Sequence, residues 1–535
     1  MFFPETQQAW LAFKRVNYNH RMFPGIRSTG MNAKWIQTLA LHLSLFLVAL
    51  LASSSSQAQV TLVADSGFAF QAISQCETDL RYLNQVSGWQ ASWPQQWEAV
   101  VSSGTADIEQ SIDHWSQLPD ALATLKQQLL SGITLNQMVP RPVALRVHQQ
   151  VQDVALALSS ANSPYRFTDA DTEGPKSWNV LVDESVVAAF SKFELFLRTQ
   201  YLPKAQSDTG LSTTKGGGEC FGAAAVWWTS LDLPPDEIAA MGNRILKENH
   251  DALAMTGNTG ESVADILNRL RISATTDPTS AEELIRISEL ALKRAQEKTL
   301  SAFSHEASEP ISVEPLPVYM QAAFPAGRYV GANNSTPASY VINPSRPNER
   351  RLMAEVIAFH EGIPGHHLFA AYPRDKPPII YESGNSGLGE GWALYSEYVA
   401  QELGLFSTPL DVQGMIAKHL WAASRLVVEP GLHAYGWSRE EAVQFMLLNT
   451  VLSRTEIEIE VDRYLAMPGQ SLSYMFGADL ILVERERARS VLGDDFDIRA
   501  FHEVVLETGV RPLPVLRDDI RAWVAANSAA GHGDH

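Results

Sequence analysis

Through most of the chain, apolar residues recur three and four positions apart with few breakers between them, which is the period of a helix packed on one face. The stretches Ala121 to Leu130, Val187 to Gln200, Pro235 to Lys247, Ala281 to Leu300 and Val443 to Leu452 carry this pattern and are predicted helices. Alternation with a period of two is rare. Its clearest instance, Ala338-Ser339-Tyr340-Val341-Ile342-Asn343, sets β-branched and aromatic residues between turn formers and predicts a strand. Glycine and proline gather at Gly216-Gly217-Gly218, Pro310 to Pro317, Pro373 to Pro378 and Ser383 to Gly389, which read as loops. The expected fold class is therefore mainly α, with a small β element near the chemistry described below.

One apolar run has a different meaning. Met31-Asn32-Ala33-Lys34 opens a stretch from Trp35 to Ala52 broken only by Gln37, Thr38, His42 and Ser44, and followed by Ser53 to Gln57 and Ala58. A charged start, an apolar middle and a small-x-Ala end form a secretory signal, with cleavage expected after Ala58 and translation expected to start at Met31. No Cys follows the run, so no lipid anchor is expected, and no later segment has the roughly 18 to 20 apolar residues of a membrane span. The mature protein is expected to be exported, to the periplasm or beyond the cell. It reads as an N-terminal helical lobe over residues 59–300 and a catalytic lobe over residues 301–535.

Composition narrows the function classes. Of 535 residues, 45% are hydrophobic and 19% charged, enough for a large core around a cleft. The net charge of -19 repels phosphate backbones and anionic membrane surfaces, so nucleic acid is excluded as an expected partner. Cys76 and Cys220 are the only cysteines. In an oxidising compartment either a bridge between them or two separate buried thiols is compatible with the sequence.

The chemistry centres on His360-Glu361-Gly362-Ile363-Pro364-Gly365-His366-His367. Zinc peptidases commonly bind the metal through two histidines four apart on one helix, with a Glu beside the first to activate water. Here the fourth position is Pro364. On an unbroken helix His366 would lie about 9 Å further along and about 240° around the axis, and His367 about 10 Å along, so neither could share a metal with His360. Proline, however, lacks the N–H that would bond the carbonyl of His360, and its ring clashes there. With Gly362 and Gly365 giving backbone freedom, Glu361 to Gly365 can loop out and return His366 to the metal. His360 and His366 are the expected ligands, with His367 the alternative as a ligand or as a residue supporting one. A carboxylate is expected as third ligand, and Glu390, opening a predicted helix, fills that role, with Glu397 seven residues later on the same face. Glu361 is then the expected general base of a one-zinc site.

These two stretches, together with Gly431-Leu432-His433-Ala434-Tyr435-Gly436-Trp437, Pro468-Gly469-Gln470-Ser471-Leu472-Ser473-Tyr474 and Phe496 to His502, resemble the bacterial family labelled "domain of unknown function 885". That family is similar to helical gluzincin peptidases such as carboxypeptidase Taq and the oligopeptidases. The resemblance implies a helical fold with a deep groove and a zinc hydrolase acting on a peptide or small amide. It further implies His433 or Tyr474 as donors to the reaction's oxyanion, Arg485 as a clamp on a substrate carboxylate, and the strand at Tyr340 to Asn343 as an edge for extended substrate. Two other classes remain open: a zinc hydrolase of a non-peptide amide or ester, and a binding protein on the same fold. The run Glu456 to Glu460 is expected as a solvated face or as partners of Arg454 and Arg463, and His419 shows no ligand pattern.

Overall fold

The computed structural model describes residues 62–63 and 82–530, except 104–107, 161, 206–208, 215, 277–278, 322–325, 333–335, 375–379 and 382–385. The signal segment and Cys76 lie outside the described residues, whereas Cys220 is disulfide-bonded. The architecture is mainly α, as the periodicity predicts. Each of the five predicted stretches falls on a helix, although the last ends early, at Asn449. Helix starts follow local chemistry: the Thr408 side chain accepts from Asp411 N with Pro409 at the first helical position, and Ser438 and Glu441 cap each other's backbone.

At the centre runs the helix Pro409–His433, most of whose residues are buried. It lies along the helix Pro235–Ala254, where Gly242 makes the approach close: a Cβ there would meet the Leu426 Cβ at 2.7 Å. A second tight pair is Gly387–Glu402 with Ser473–Leu492. A Cβ on Gly391 would sit 2.3 Å from the Gly477 Cα, so these helices touch backbone to backbone. One continuous set of buried residues extends from Leu83 to Val524, so helices from both of the expected lobes share a core.

The β element is a three-stranded sheet in which Ala338–Ile342 is central, parallel to Ile311–Pro315 and antiparallel to Gly327–Val330. The Pro310 to Pro317 region, expected as a loop, thus contributes a strand, and Gly217 opens the helix Gly217–Thr229. Among the described residues no helix is long and apolar enough to cross a membrane.

Candidate metal centre

The helix Ala354–Glu361 stops where Pro364 requires it to, and a new helix, His366–Ala370, starts after the turn. Gly362 N still bonds Ala358 O at 2.8 Å, but Gly365 N reaches back to Phe359 O at 3.0 Å, closing the loop. At Gly365 a Cβ would meet the carbonyl oxygen of His360 at 2.0 Å, so only glycine fits. The Pro364 carbonyl accepts from Trp392 Nε1 at 3.0 Å, which ties the loop to the helix carrying Glu390. The outcome is that the His360 and His366 rings lie with centroids 4.9 Å apart.

Glu390 meets both histidines. Its Oε2 is 3.5 Å from His360 Nε2 and 3.3 Å from His366 Nε2, and the three potential ligand atoms lie within 4.8 Å of one another. Ligands on tetrahedral arms of about 2.0 to 2.1 Å are spaced by roughly 3.3 Å, so the distances from Glu390 to the two imidazoles and the N,N,O donor set fit zinc. Burial would raise the Glu390 pKa, but hydrogen bonds from both imidazoles hold the carboxyl well below the usual range, in the ionised form a metal needs.

His367 points elsewhere. Fully buried, it has Nε2 2.8 Å from the Glu309 carbonyl and Nδ1 3.3 Å from the Tyr329 hydroxyl. It supports the chain beside the centre and is not a ligand in this arrangement.

Behind His360 stands Glu397, fully buried, with Oε1 2.8 Å from His360 Nδ1. The same carboxylate accepts from Lys418 Nζ, and its Oε2 is 3.0 Å from His419 Nε2. Burial would raise its pKa, but the Lys418 ammonium and the two imidazoles hold it far down. A carboxylate on the outer nitrogen of a ligating histidine fixes the ring and leaves Nε2 for the metal. Lys418 and His419 belong to this supporting layer, and the sequence reading missed both. The signal was present, since they follow each other on the helix facing Glu397, but no spacing rule covers contacts between helices.

The centre opens into a groove of about 830 Å³. Glu361 lines it next to the two histidines and Glu390. Tyr474 also lines it, its ring stacked on His360 at 6.0 Å and 15°. Its hydroxyl is pushed well above the ordinary phenol range by burial and by the charge of Glu390. The outer strand Gly327–Val330 contributes to its lining, as do Trp93 and Trp115.

Four expected site residues do not reach this groove. His433 is fully buried with Nδ1 accepting from Leu211 N at 3.1 Å and Nε2 3.2 Å from the Tyr464 carbonyl, so both ring nitrogens are committed and no donor remains for an oxyanion. Arg485 gives its guanidinium to Glu402 at 2.7 Å and the Tyr395 hydroxyl at 3.1 Å instead of clamping substrate. Tyr340 sits on the central strand, paired on both sides, so its backbone offers no free edge. The outer strand that lines the groove is the neighbouring Gly327–Val330. Asn343 is buried and ties Gln321, Ser345 and Ala326 together.

The run Glu456 to Glu460 is helical and only partly solvated. Glu456 pairs with Arg346 and Arg350, Glu458 with Arg454, and buried Glu460 with Arg463 and Arg425.

Fold and site together define a mainly helical protein whose groove ends at a cluster of two histidines and one glutamate. The chain belongs to the family described as bacterial protein of unknown function (DUF885), which matches residues 39–520. It is similar to the crystal structure of a "putative lipoprotein" from Colwellia psychrerythraea, with 25% identity, a TM-score of 0.72, and coverage of 83% of this chain and 80% of that one. A "putative lipoprotein of unknown function" from Shewanella oneidensis shares the fold at 16% identity and a TM-score of 0.59, over 92% of this chain and 93% of that one. No curated protein matches the sequence.

Proposed function

We propose that this protein is an exported, single-zinc hydrolase of peptide bonds. The observation that carries the reading is the spacing of His360 Nε2, His366 Nε2 and Glu390 Oε2 beside Glu361 in one groove. Zinc held by these three residues would supply Lewis acidity to a water and to the substrate carbonyl. Glu361 accepts a proton from the attacking water as its oxygen bonds to the carbonyl carbon. The same proton then passes to the leaving amine as the C–N bond breaks, so the sum is one water consumed for an acid and an amine. The Tyr474 hydroxyl, kept protonated by its surroundings and carried on a ring stacked against His360, is the donor to the negative oxygen that forms. Glu397 orients His360 throughout. The outer strand Gly327–Val330, which gives Gly327, Arg328 and Tyr329 to the groove lining, favours an extended peptide over a compact amide or ester, because an extended segment can lie along a strand.

Export rests on the apolar run from Trp35 to Ala52 and on the description of both solved relatives as lipoproteins. The test is metal analysis of the purified protein with a peptide digest, repeated on Glu361→Gln. One zinc per chain in both proteins, with cleavage reduced at least about a hundredfold in the variant, is the expected result. Zinc without any cleavage by the native protein would leave only a binding role.

A further inference from the structure

The groove holds a second chemical feature that the metal reading does not use. Arg425 and Arg463 both line it, both are buried, and both lean on a single carboxylate: Glu460 Oε2 is 3.2 Å from Arg425 Nη2 and 2.9 Å from Arg463 Nη2. Among the described residues neither guanidinium has another carboxylate partner. Of the other charged groups facing the groove, Lys418 pairs with Glu397 and Glu390 with the two histidines, while Glu361 stands on the metal side of the groove. Two buried guanidiniums therefore share one paired carboxylate, in a chain of net charge -19. Buried charges are ordinarily paired, and a missing partner inside a groove is supplied by what binds there.

Arg425 is also built to stay in place. Its guanidinium carbon lies 4.4 Å from the Trp421 ring centroid and 4.3 Å from that of Tyr474, and Nε donates to the Tyr464 hydroxyl at 3.1 Å. With Nε and Nη2 committed, Nη1 has no acceptor among the described residues. Gln470 stands behind, accepting from Arg463 through Oε1 and lining the groove.

Distance then selects the ligand. Because Tyr474 stacks on His360 at 6.0 Å and on Arg425 at 4.3 Å, the guanidinium carbon lies within about 10 Å of the ring of a metal ligand. One residue advances a chain by about 3.8 Å, and a carboxylate paired with a guanidinium adds roughly 4 Å more. We infer that Arg425, supported by Arg463 and Gln470, binds the free α-carboxylate of a peptide's C-terminal residue, placing the last or next-to-last peptide bond at the metal centre. The inference rests on the hydrolase reading for its direction of cleavage, but the carboxylate subsite itself is testable without turnover. An acidic side chain offers the same chemistry, and the test separates the two.

Random hexapeptides, half as free acids and half as C-terminal amides, are passed over immobilised, zinc-loaded Glu361→Gln protein, and the retained fraction is read by mass spectrometry. Free acids are expected to be enriched at least about tenfold over the matching amides, the scale of one charge-assisted pair. Adding Arg425→Gln should reduce that enrichment to within about twofold. Equal retention of acids and amides overturns the subsite, as does enrichment that follows internal Asp or Glu whatever the terminus. The acid-to-amide comparison needs no change at Arg425, so poor folding of that variant does not blunt it. In the native zinc protein the same library should lose one or two residues from free acids only. Cutting acids and amides at equal internal positions overturns the proposed direction. Acid enrichment without any cleavage refutes the hydrolase reading and leaves the carboxylate subsite standing.

Discussion

Replacing Glu397 by glutamine tests how the centre is held. In the native protein two carboxylate oxygens, fully buried, satisfy His360 Nδ1, Lys418 Nζ and His419 Nε2. Glutamine keeps the shape but offers one acceptor and no charge, so the Lys418 ammonium is left in the interior without a counter-ion. Breaking a buried pair by removing one partner costs about 3 to 5 kcal/mol, roughly a fifth or more of the stability of an ordinary domain. Loss of the outer partner of His360 should separately weaken zinc binding by about 10- to 100-fold. The two effects are separated by urea unfolding in the presence of a chelator and by competition for zinc against a coloured chelator. Adding Lys418→Met to Glu397→Gln removes the stranded charge and should recover most of the lost stability while zinc affinity stays low. If the double variant is no more stable than the single one, the unpaired lysine is not the cause. Native zinc affinity in Glu397→Gln would refute the orienting role.

Other outcomes follow from the same geometry. His366→Ala should lose stoichiometric zinc, whereas His367→Ala should retain it and lower the unfolding midpoint, because it strips two hydrogen bonds from a buried site; metal analysis and thermal unfolding read the two. Gly391→Ala drives a methyl into Gly477 and should cost about 1 to 3 kcal/mol while displacing Glu390, seen as a lower urea midpoint together with weaker zinc binding. His502 is fully buried, with its pKa pushed down to about 3 by burial and by the Arg485 charge, against some support from the Ala302 carbonyl. Its folded pKa is depressed, so the stability linked to it is present above about pH 6.5 and declines as pH falls toward 3. Between pH 6.5 and 4 that amounts to at most about 3 kcal/mol. Urea midpoints measured from pH 7.5 to 4 should fall more steeply in the native protein than in His502→Gln; parallel slopes would contradict this.

The sequence by itself determined the helical class, the strand at Ala338–Ile342, the break at Pro364 and the candidates His360, His366, Glu390 and Glu361. Each is a local property: periodicity sets which face a helix buries, and proline removes a hydrogen bond whatever surrounds it. Even the choice between His366 and His367 was narrowed locally, but not made. Only the tertiary structure turns His367 toward Glu309 and Tyr329, because neighbours from distant segments compete for its nitrogens. The same limit explains the misplaced roles. Tyr474 and Arg485 lie 11 residues apart on one helix, yet Tyr474 faces His360 while Arg485 finds Glu402 and Tyr395. His433 sits in a motif and still spends both nitrogens on backbone. Lys418, His419, Arg425 and Glu460 carry no signature of their own. Their chemistry arises where the Pro409–His433 helix meets Gly387–Glu402 and Arg454–Ala466, and which charges meet inside a protein is decided by packing, not by spacing along the chain.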